Sequence, residues 1–186
     1  GELATIPVSP PLWYNKPSGT LPTVYYTPAA FVSALFKHWS GIATFRIQVM
    51  SSANHKGRLA LIWDAQDIPA SGYTPEYNTM FTRIIDISEE RDVSVDIAWG
   101  VEQPWLYVDT LASNSPVDPM ALWSLSNSNG SVSLRVLNQL TGPSGAATDV
   151  DIVVSVSMKK LNVMAPSPVM LEYGALEPQS GTAVYS

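Results

Sequence analysis

The chain has 186 residues, of which 46% are hydrophobic and only 14% are charged, and its formal net charge is −6. This length suits one well-cored domain rather than two, and the acidic balance argues against a broad basic surface that would collect phosphates. The chain has no cysteine, which excludes disulfides and thiolate chemistry and is compatible with a reducing compartment.

The N-terminal part predicts a short strand over residues 2 to 9, followed by the proline-rich crossing SPPLWYNKPSGTLP. A helix is predicted next, over 28 to 38, because Thr27 is a good N-cap and Pro28 suits the first helical position. Apolar residues recur behind them at helical spacing, and Gly41 is expected to end the helix. The apolar positions are Val32, Leu35, Phe36 and Trp39.

The next two strands are predicted over 42 to 51 and 57 to 64, with SSANHKG as the turn between them. The first alternates apolar and polar residues, which is typical of a strand buried on one face. The second, in RLALIWD, is apolar on both faces. We therefore expect it to lie centrally in a sheet that is covered on both sides.

The rest of the chain predicts four more strands and two long crossings. Val93, Val95, Ile97 and Trp99 are expected to share one face of their strand, and Asn129 with Gly130 is expected to form a turn. The strands are predicted at 82–88, 92–99, 130–140 and 148–160, the crossings at 65–81 and 101–129, and an extended tail at 169–186.

These elements predict an all-β protein with about seven strands and one helix. Many short strands joined by long crossings favour a Greek-key sandwich, and the jelly roll is the version that tolerates a helix between strands. No run of about 18 apolar residues is present to cross a bilayer.

Few residues suggest catalysis or metal binding. His38 is predicted at the end of the helix and His55 in a turn, where capping or surface roles are commoner than chemistry. A cupin-like metal site would need several histidines and a Glu on inward-facing strands, so we expect no metal and no cofactor. Asp149 and Asp151 alternate on a polar strand face and are not expected to act as a glycosidase pair.

Two further features have structural and functional interpretations. Asn129, Gly130 and Ser131 form a glycosylation sequon, but the turn explains their composition. The tryptophans lie at predicted strand or helix ends, where a ring and its N–H can join core and rim, although exposed rings could also bind sugars. A secreted carbohydrate-binding β-sandwich module therefore remains an alternative function.

The order of these parts resembles the major capsid proteins of picornavirus-like viruses, including those of dicistroviruses, iflaviruses and marine picorna-like viruses. The resemblance rests on FVSALFKHWSGIATFRIQVMSSANHKGRLALIWD, on IIDISEERDVSVDIAW, and on the two C-terminal strands. Its signature residues are Trp39, Gly41, Lys56, Gly57, Arg58, Leu59 and Trp99.

The resemblance implies an eight-stranded antiparallel jelly-roll sandwich over residues 1–168, with one helix between strands C and D. Strands C, D, E, F, G, H and I correspond to 2–9, 42–51, 57–64, 82–88, 92–99, 130–140 and 148–160. Strand B, which lies beside I in this family, has no counterpart. Upstream residues or a neighbouring subunit are expected to supply it.

The implied function is structural, with no enzymatic activity. The chain is expected in the virion, and in the host cytoplasm during assembly, with two related capsid proteins in a pseudo-T=3 icosahedral shell. Contact with the enclosed RNA genome is expected to be limited, and a host receptor is a possible partner of the exposed crossings. The crossing from 101 onward is represented by Val101, Asn114 and Pro119.

Overall fold

The computed structural model describes residues 1–15, 25–52, 54–65, 81–108, 122–142 and 149–167. These residues form one α-helix longer than a turn, α1 (Pro28–Ala34), a 3-10 turn (Pro10–Leu12) and ten strands. The strands are β1 (Glu2–Pro7), β2 (Tyr14–Asn15), β3 (Tyr25–Tyr26), β4 (Phe36–Met50), β5 (Lys56–Asp64), β6 (Phe81–Asp86), β7 (Asp92–Ile97), β8 (Leu106–Tyr107), β9 (Ser131–Thr141) and β10 (Asp151–Pro166).

Two antiparallel sheets face each other across the core. The first sheet has the strand order β1-β9-β5-β6, and the second has the order β10-β4-β7, with β8 also paired to β4. In the letters of the capsid family these orders are C-H-E-F and I-D-G. The predicted all-β jelly-roll class is therefore confirmed.

The core is built by the alternation that the sequence predicted. On β4, the side chains of Ala43, Phe45, Ile47 and Val49 are all 5% exposed or less. They pack against the inward residues of the first sheet in one continuous cluster. Burial of a side chain as large as Phe45 contributes about 1.5–3 kcal/mol to the free energy of unfolding.

Strand β5 lies between β9 and β6, as its double-faced apolar pattern predicted. The four consecutive residues from Leu59 to Ile62 are buried, so both faces of the strand are covered. On β9, Val132 and Leu134 point inward and are 3% exposed, which confirms the predicted face.

The prediction of where the helix ends is wrong. Thr27 does cap α1, since its Oγ1 accepts a hydrogen bond from the Ala30 amide at 3.2 Å. The helix nevertheless stops at Ala34, and β4 begins at Phe36. Residues 36–42 pair along β10 and partly along β8, and these inter-strand hydrogen bonds outweigh a helical spacing of only a few apolar residues.

The second sheet ends at β10 in the described part of the chain. On β10 the inward apolar side chains from Ile152 to Met158 are only partly buried, although they contact the main core. No described strand corresponds to B, as predicted, so the outer edge of β10 has no strand beside it among the described residues.

Parts of the predicted crossings lie outside the described residues, namely 66–80 and 109–121, and so does the predicted tail at 169–186. Asn114 and Pro119 are among them. Val101 is described, and it is partly buried against a second apolar cluster rather than fully exposed. The 101–129 crossing also contributes a short strand, β8, which sequence patterning missed because it has only two residues.

Candidate functional site

The signature residues lie in two separate structural groups. The first is a small apolar cluster behind the start of β4, formed by Trp39 with Leu106 and Val108. Trp39 is 1% exposed, and its ring meets the ring of Trp99 edge to face at a centroid distance of 5.3 Å. The two tryptophans therefore fasten the segment after β7 and strand β8 to β4.

Gly41 belongs to this first group, but for a different reason from the one predicted. It lies inside β4 rather than at the end of a helix. A Cβ on Gly41 would lie 2.0 Å from the carbonyl oxygen of Lys160, at the point where the β10 register shifts between Met158 and Lys160. Glycine is needed there because the two backbones approach too closely for any side chain.

The second group, Lys56 to Leu59, opens β5. The Gly57 carbonyl accepts a hydrogen bond from the Ile87 amide at 3.1 Å, and Leu59 is 6% exposed in the core. Arg58 forms an ion pair with Asp86 at 3.2 Å. Hydrogen bonds from Ser88 and then from Arg58 lower the pKa of Asp86 below its ordinary value. These residues join strand ends and offer no reactive group.

A buried polar junction at residues 127–130 was not predicted. Asn127 is fully buried, and its carbonyl accepts hydrogen bonds from the Ser9 hydroxyl at 2.7 Å and the Trp39 indole at 3.2 Å. Asn129 is 1% exposed and donates from Nδ2 to the carbonyl of Ala98 at 2.8 Å. The junction thus connects the start of the chain to both sheets, and the repeated Ser-Asn pattern was its only signal.

The glycosylation sequon is structural, as predicted. The Asn129 side chain is enclosed, and its Oδ1 accepts a hydrogen bond from the Gly100 amide at 3.0 Å. Gly130 has a φ of 76°, and a Cβ there would lie 2.0 Å from the carbonyl oxygen of Asp64. The side chain is buried and hydrogen-bonded at both of its polar atoms, so a glycan on Asn129 would be incompatible with this fold.

The two histidines are not brought together. His38 lies within β4 and not at a helix end, which corrects the predicted placement. His55 is in the predicted turn, is 8% exposed, and contacts Ser52 through its Nδ1 at 2.6 Å. Within the described ranges, no group of three or more His, Asp or Glu residues is placed to hold a metal ion.

The outer face of the second sheet carries paired charges beside exposed apolar side chains, which include Met50, Val153 and Met164. Arg46 donates to both carboxylate oxygens of Asp92, at 2.8 and 2.5 Å, and Lys159 donates to Asp96 at 2.5 Å. The bond from Arg46 lowers the pKa of Asp92, and that from Lys159 lowers the pKa of Asp96. The pairs are solvent-exposed, so each adds little to stability at neutral pH.

The strands of the first sheet expose several large apolar side chains. Leu3, Phe81, Ile84 and Leu137 are each between 50% and 56% exposed. A cavity of about 760 Å³ also opens between the two sheets, lined mainly by apolar residues that include Val49, Leu59, Val136 and Ile152. Exposed apolar side chains on a flat sheet are typical of surfaces that other protein chains cover.

The tryptophan side chains mostly point into the fold. Trp13, Trp39 and Trp63 donate their indole N–H groups to the carbonyls of Pro7, Asn127 and Asn129. Trp123 donates to the Ser128 hydroxyl at 2.9 Å. They join core and rim, as predicted, and none of these four presents its indole N–H for a sugar.

Among the described residues, no helix is long and apolar enough to cross a membrane.

Neither a protein-family model nor a curated protein matches the sequence. Solved structures do match. A chain from a marine algae virus of the order Picornavirales is 26% identical, with a TM-score of 0.73 over 95% of this chain and 69% of that one. A chain from the native virion of Kashmir bee virus is 22% identical, with a TM-score of 0.71 over 97% of this chain and 66% of that one.

A chain from the empty capsid of Triatoma virus is 15% identical, with a TM-score of 0.70 over all of this chain and 71% of that one. This chain spans about two thirds of the length of the viral chains it matches. The fold is therefore that of picorna-like virus capsid proteins, which confirms the resemblance seen in the sequence.

Proposed function

We propose that this chain is a major capsid protein of a small, non-enveloped, positive-strand RNA virus. It assembles with two related capsid proteins into a pseudo-T=3 icosahedral shell that encloses the genome. The observation that carries the proposal is the two-sheet fold with strand orders C-H-E-F and I-D-G, which matches a chain of a marine algae virus of the order Picornavirales with a TM-score of 0.73 over 95% of this chain.

The surface of the chain suits repeated protein interfaces. Only 14% of its residues are charged, against about 25% in an average soluble protein. The exposed apolar side chains of the first sheet would be covered by neighbouring subunits, and the second sheet, with its paired charges, suits a wetter contact. Such interfaces are individually moderate, and closed symmetry makes the shell stable.

The remaining partners follow from charge and position. The net charge of −6 leaves little attraction for phosphates, so contact with the enclosed RNA is limited. The crossings at 65–81 and 101–129 are the places for host-receptor contacts, except for the residues of the second crossing that are buried, such as Leu106, Val108 and Asn127. The protein is not an enzyme, and it functions in the virion after assembly in the host cytoplasm.

Co-expression of this chain with its two partner capsid proteins, followed by negative-stain microscopy, tests the proposal. We expect closed icosahedral particles from the unmodified chain and far fewer from Ile84→Lys, which places a charge in the exposed apolar surface. The matched control is Ser155→Lys, at an exposed position among the paired charges of the second sheet, where the proposed wetter contact can accommodate one more charge. Equal thermal stability of both variants shows that assembly, not folding, has changed.

Two results would count against the capsid role. One is a stable monomer by sedimentation with no particles under any condition. The other is specific binding on a glycan array, which would favour the carbohydrate-binding alternative, although the inward direction of four indole N–H groups already disfavours it.

A further inference from the structure

The turn that leads into β9 contains a chemically labile pair of residues. Asn129 is the only asparagine of the chain that is followed by a glycine. In such a pair the backbone nitrogen of the glycine can attack the side-chain amide of the asparagine, because glycine has no Cβ to hinder the approach. An Asn-Gly pair in a free chain therefore loses the asparagine amide faster than asparagine before a bulkier residue.

The fold needs both members of this pair for reasons unrelated to that reaction. Gly130 has a φ of 76°, and a Cβ there would lie 2.0 Å from the carbonyl oxygen of Asp64. Asn129 donates from Nδ2 to the Ala98 carbonyl at 2.8 Å and accepts at Oδ1 from the Gly100 amide at 3.0 Å. The labile pair is thus kept in the chain by the geometry of the junction.

The folded junction also protects Asn129 from the reaction. Its backbone amide donates to the Val8 carbonyl at 2.9 Å, and its carbonyl accepts from the Trp63 indole at 2.9 Å. The Val8 amide in turn donates to the Gly130 carbonyl at 2.9 Å. Attack on Cγ makes this planar carbon tetrahedral and displaces Oδ1 and Nδ2 from their buried partners, so the reaction requires the junction to open.

We propose that Asn129 is a deamidation site that is closed in the folded chain and reacts when the junction opens locally. The Gly130 nitrogen forms a bond to Cγ of Asn129, and the Cγ–Nδ2 bond breaks. Nδ2 leaves as ammonia, with the proton that the Gly130 nitrogen releases. Water then opens the cyclic imide at either of its carbonyl carbons and leaves aspartate or isoaspartate at this position.

The product cannot restore the junction. An aspartate carboxylate has no donor for the Ala98 carbonyl, and it would place a negative charge where the residue is only 1% exposed. Isoaspartate adds one carbon atom to the main chain between the two hydrogen bonds that Val8 makes with Asn129 and Gly130. The reaction therefore marks irreversibly the chains whose junction has opened, and it does not depend on the capsid role.

Peptide mapping of the full chain by mass spectrometry, after incubation in mildly alkaline buffer, tests the proposal. We expect the Asn129 amide to be lost at least about tenfold more slowly in the folded chain than in guanidinium chloride, because two buried hydrogen bonds protect it. Asn138, which is exposed on β9 and precedes Gln139, should react slowly in both states and is the internal control. Gly130→Ala, measured only in guanidinium chloride, should slow the loss, because the added methyl group hinders the attacking nitrogen.

A variant of the folded chain tests whether local opening is sufficient. Trp63→Phe removes the indole hydrogen bond to the Asn129 carbonyl and should raise the rate of amide loss in the folded chain severalfold. The matched control is Phe45→Leu, which destabilises the main core but removes none of the junction's hydrogen bonds, and its rate should equal that of the wild type. If Trp63→Phe folds poorly, Ser9→Ala replaces it, because it removes the hydroxyl bond to the Asn127 carbonyl.

The proposal is overturned if folded and unfolded chains lose the Asn129 amide at the same rate, or if Gly130→Ala reacts as fast as the wild type in guanidinium chloride. It is also overturned if Phe45→Leu accelerates the loss as much as the junction variant does. Opening would then involve the whole fold rather than the junction.

Discussion

Replacement of Gly41 by alanine tests whether β4 and β10 need to touch at this point. The added Cβ would lie 2.0 Å from the Lys160 carbonyl oxygen and 2.8 Å from the Met158 terminal carbon. Ordinary contacts begin near 3.4 Å, so the backbones have to separate by more than about 1 Å. That movement lengthens the neighbouring ladder hydrogen bonds beyond bonding distance.

The expected cost combines overpacking and lost hydrogen bonds. Overpacking of a well-packed site costs about 1–3 kcal/mol, and each lost backbone bond costs about 0.5–1.5 kcal/mol. We therefore expect Gly41→Ala to lower the free energy of unfolding by about 3 kcal/mol, which corresponds to a Tm about 6–12 °C lower for a chain of this size.

Urea denaturation with a matched control separates this effect from the general effect of removing a glycine. Gly57 lies in β5, and a Cβ there would meet the flexible tip of Ile87 at 3.3 Å. Gly57→Ala should change the free energy of unfolding by less than about 1 kcal/mol, because it also restricts the unfolded chain. Equal midpoints for the two variants would refute the close-approach argument.

Changes at three other residues have definite expected outcomes. The hydrogen bond from Arg46 lowers the pKa of Asp92 in the folded protein. The ion pair therefore stabilises the fold above the unfolded pKa of about 4, and this contribution is lost as the pH falls through the lower folded pKa. The free energy of unfolding, measured by denaturation at a series of acidic pH values, should fall less steeply with pH for Asp92→Asn than for the wild type. Trp39→Phe should cost about 1 kcal/mol for the lost indole hydrogen bond, and Trp39→Ala about 3–5 kcal/mol, both measured by denaturation. Expression of the chain in a glycosylating host should leave Asn129 unmodified by intact-mass analysis, while Asn129→Asp should destabilise the fold because a buried donor becomes an acceptor.

Much of the fold could be predicted from the sequence because apolar and polar residues alternate along its strands with a period of two. The inward faces of β4, β7 and β9 were all predicted correctly, since one-face burial leaves a direct pattern. The end of α1 was not predicted correctly. Residues 36–42 suit either a helical turn or a strand, and their pairing with β10 makes them a strand.

The functional features were less predictable for a physical reason. Trp39 and Gly41 were singled out from the order of motifs, but their roles depend on Trp99 and Lys160, which are distant in sequence. The junction at Asn127 and Asn129 could not be predicted from its repeated Ser-Asn pattern, because a short polar run has the same composition whether it is an exposed turn or a buried network.

The outer edge of β10, which has no strand beside it among the described residues, also limits self-association of the chain. An edge strand of sixteen residues is long enough to pair with an identical edge on a second copy. The register of β10 shifts between Met158 and Lys160, near the middle of the strand, and two lysines lie side by side there. In an antiparallel pairing of two β10 strands centred on this point, these cations would face one another and the bulge would interrupt the ladder. Self-pairing is therefore disfavoured, whereas a different strand that carries no positive charge at that position would not meet this repulsion.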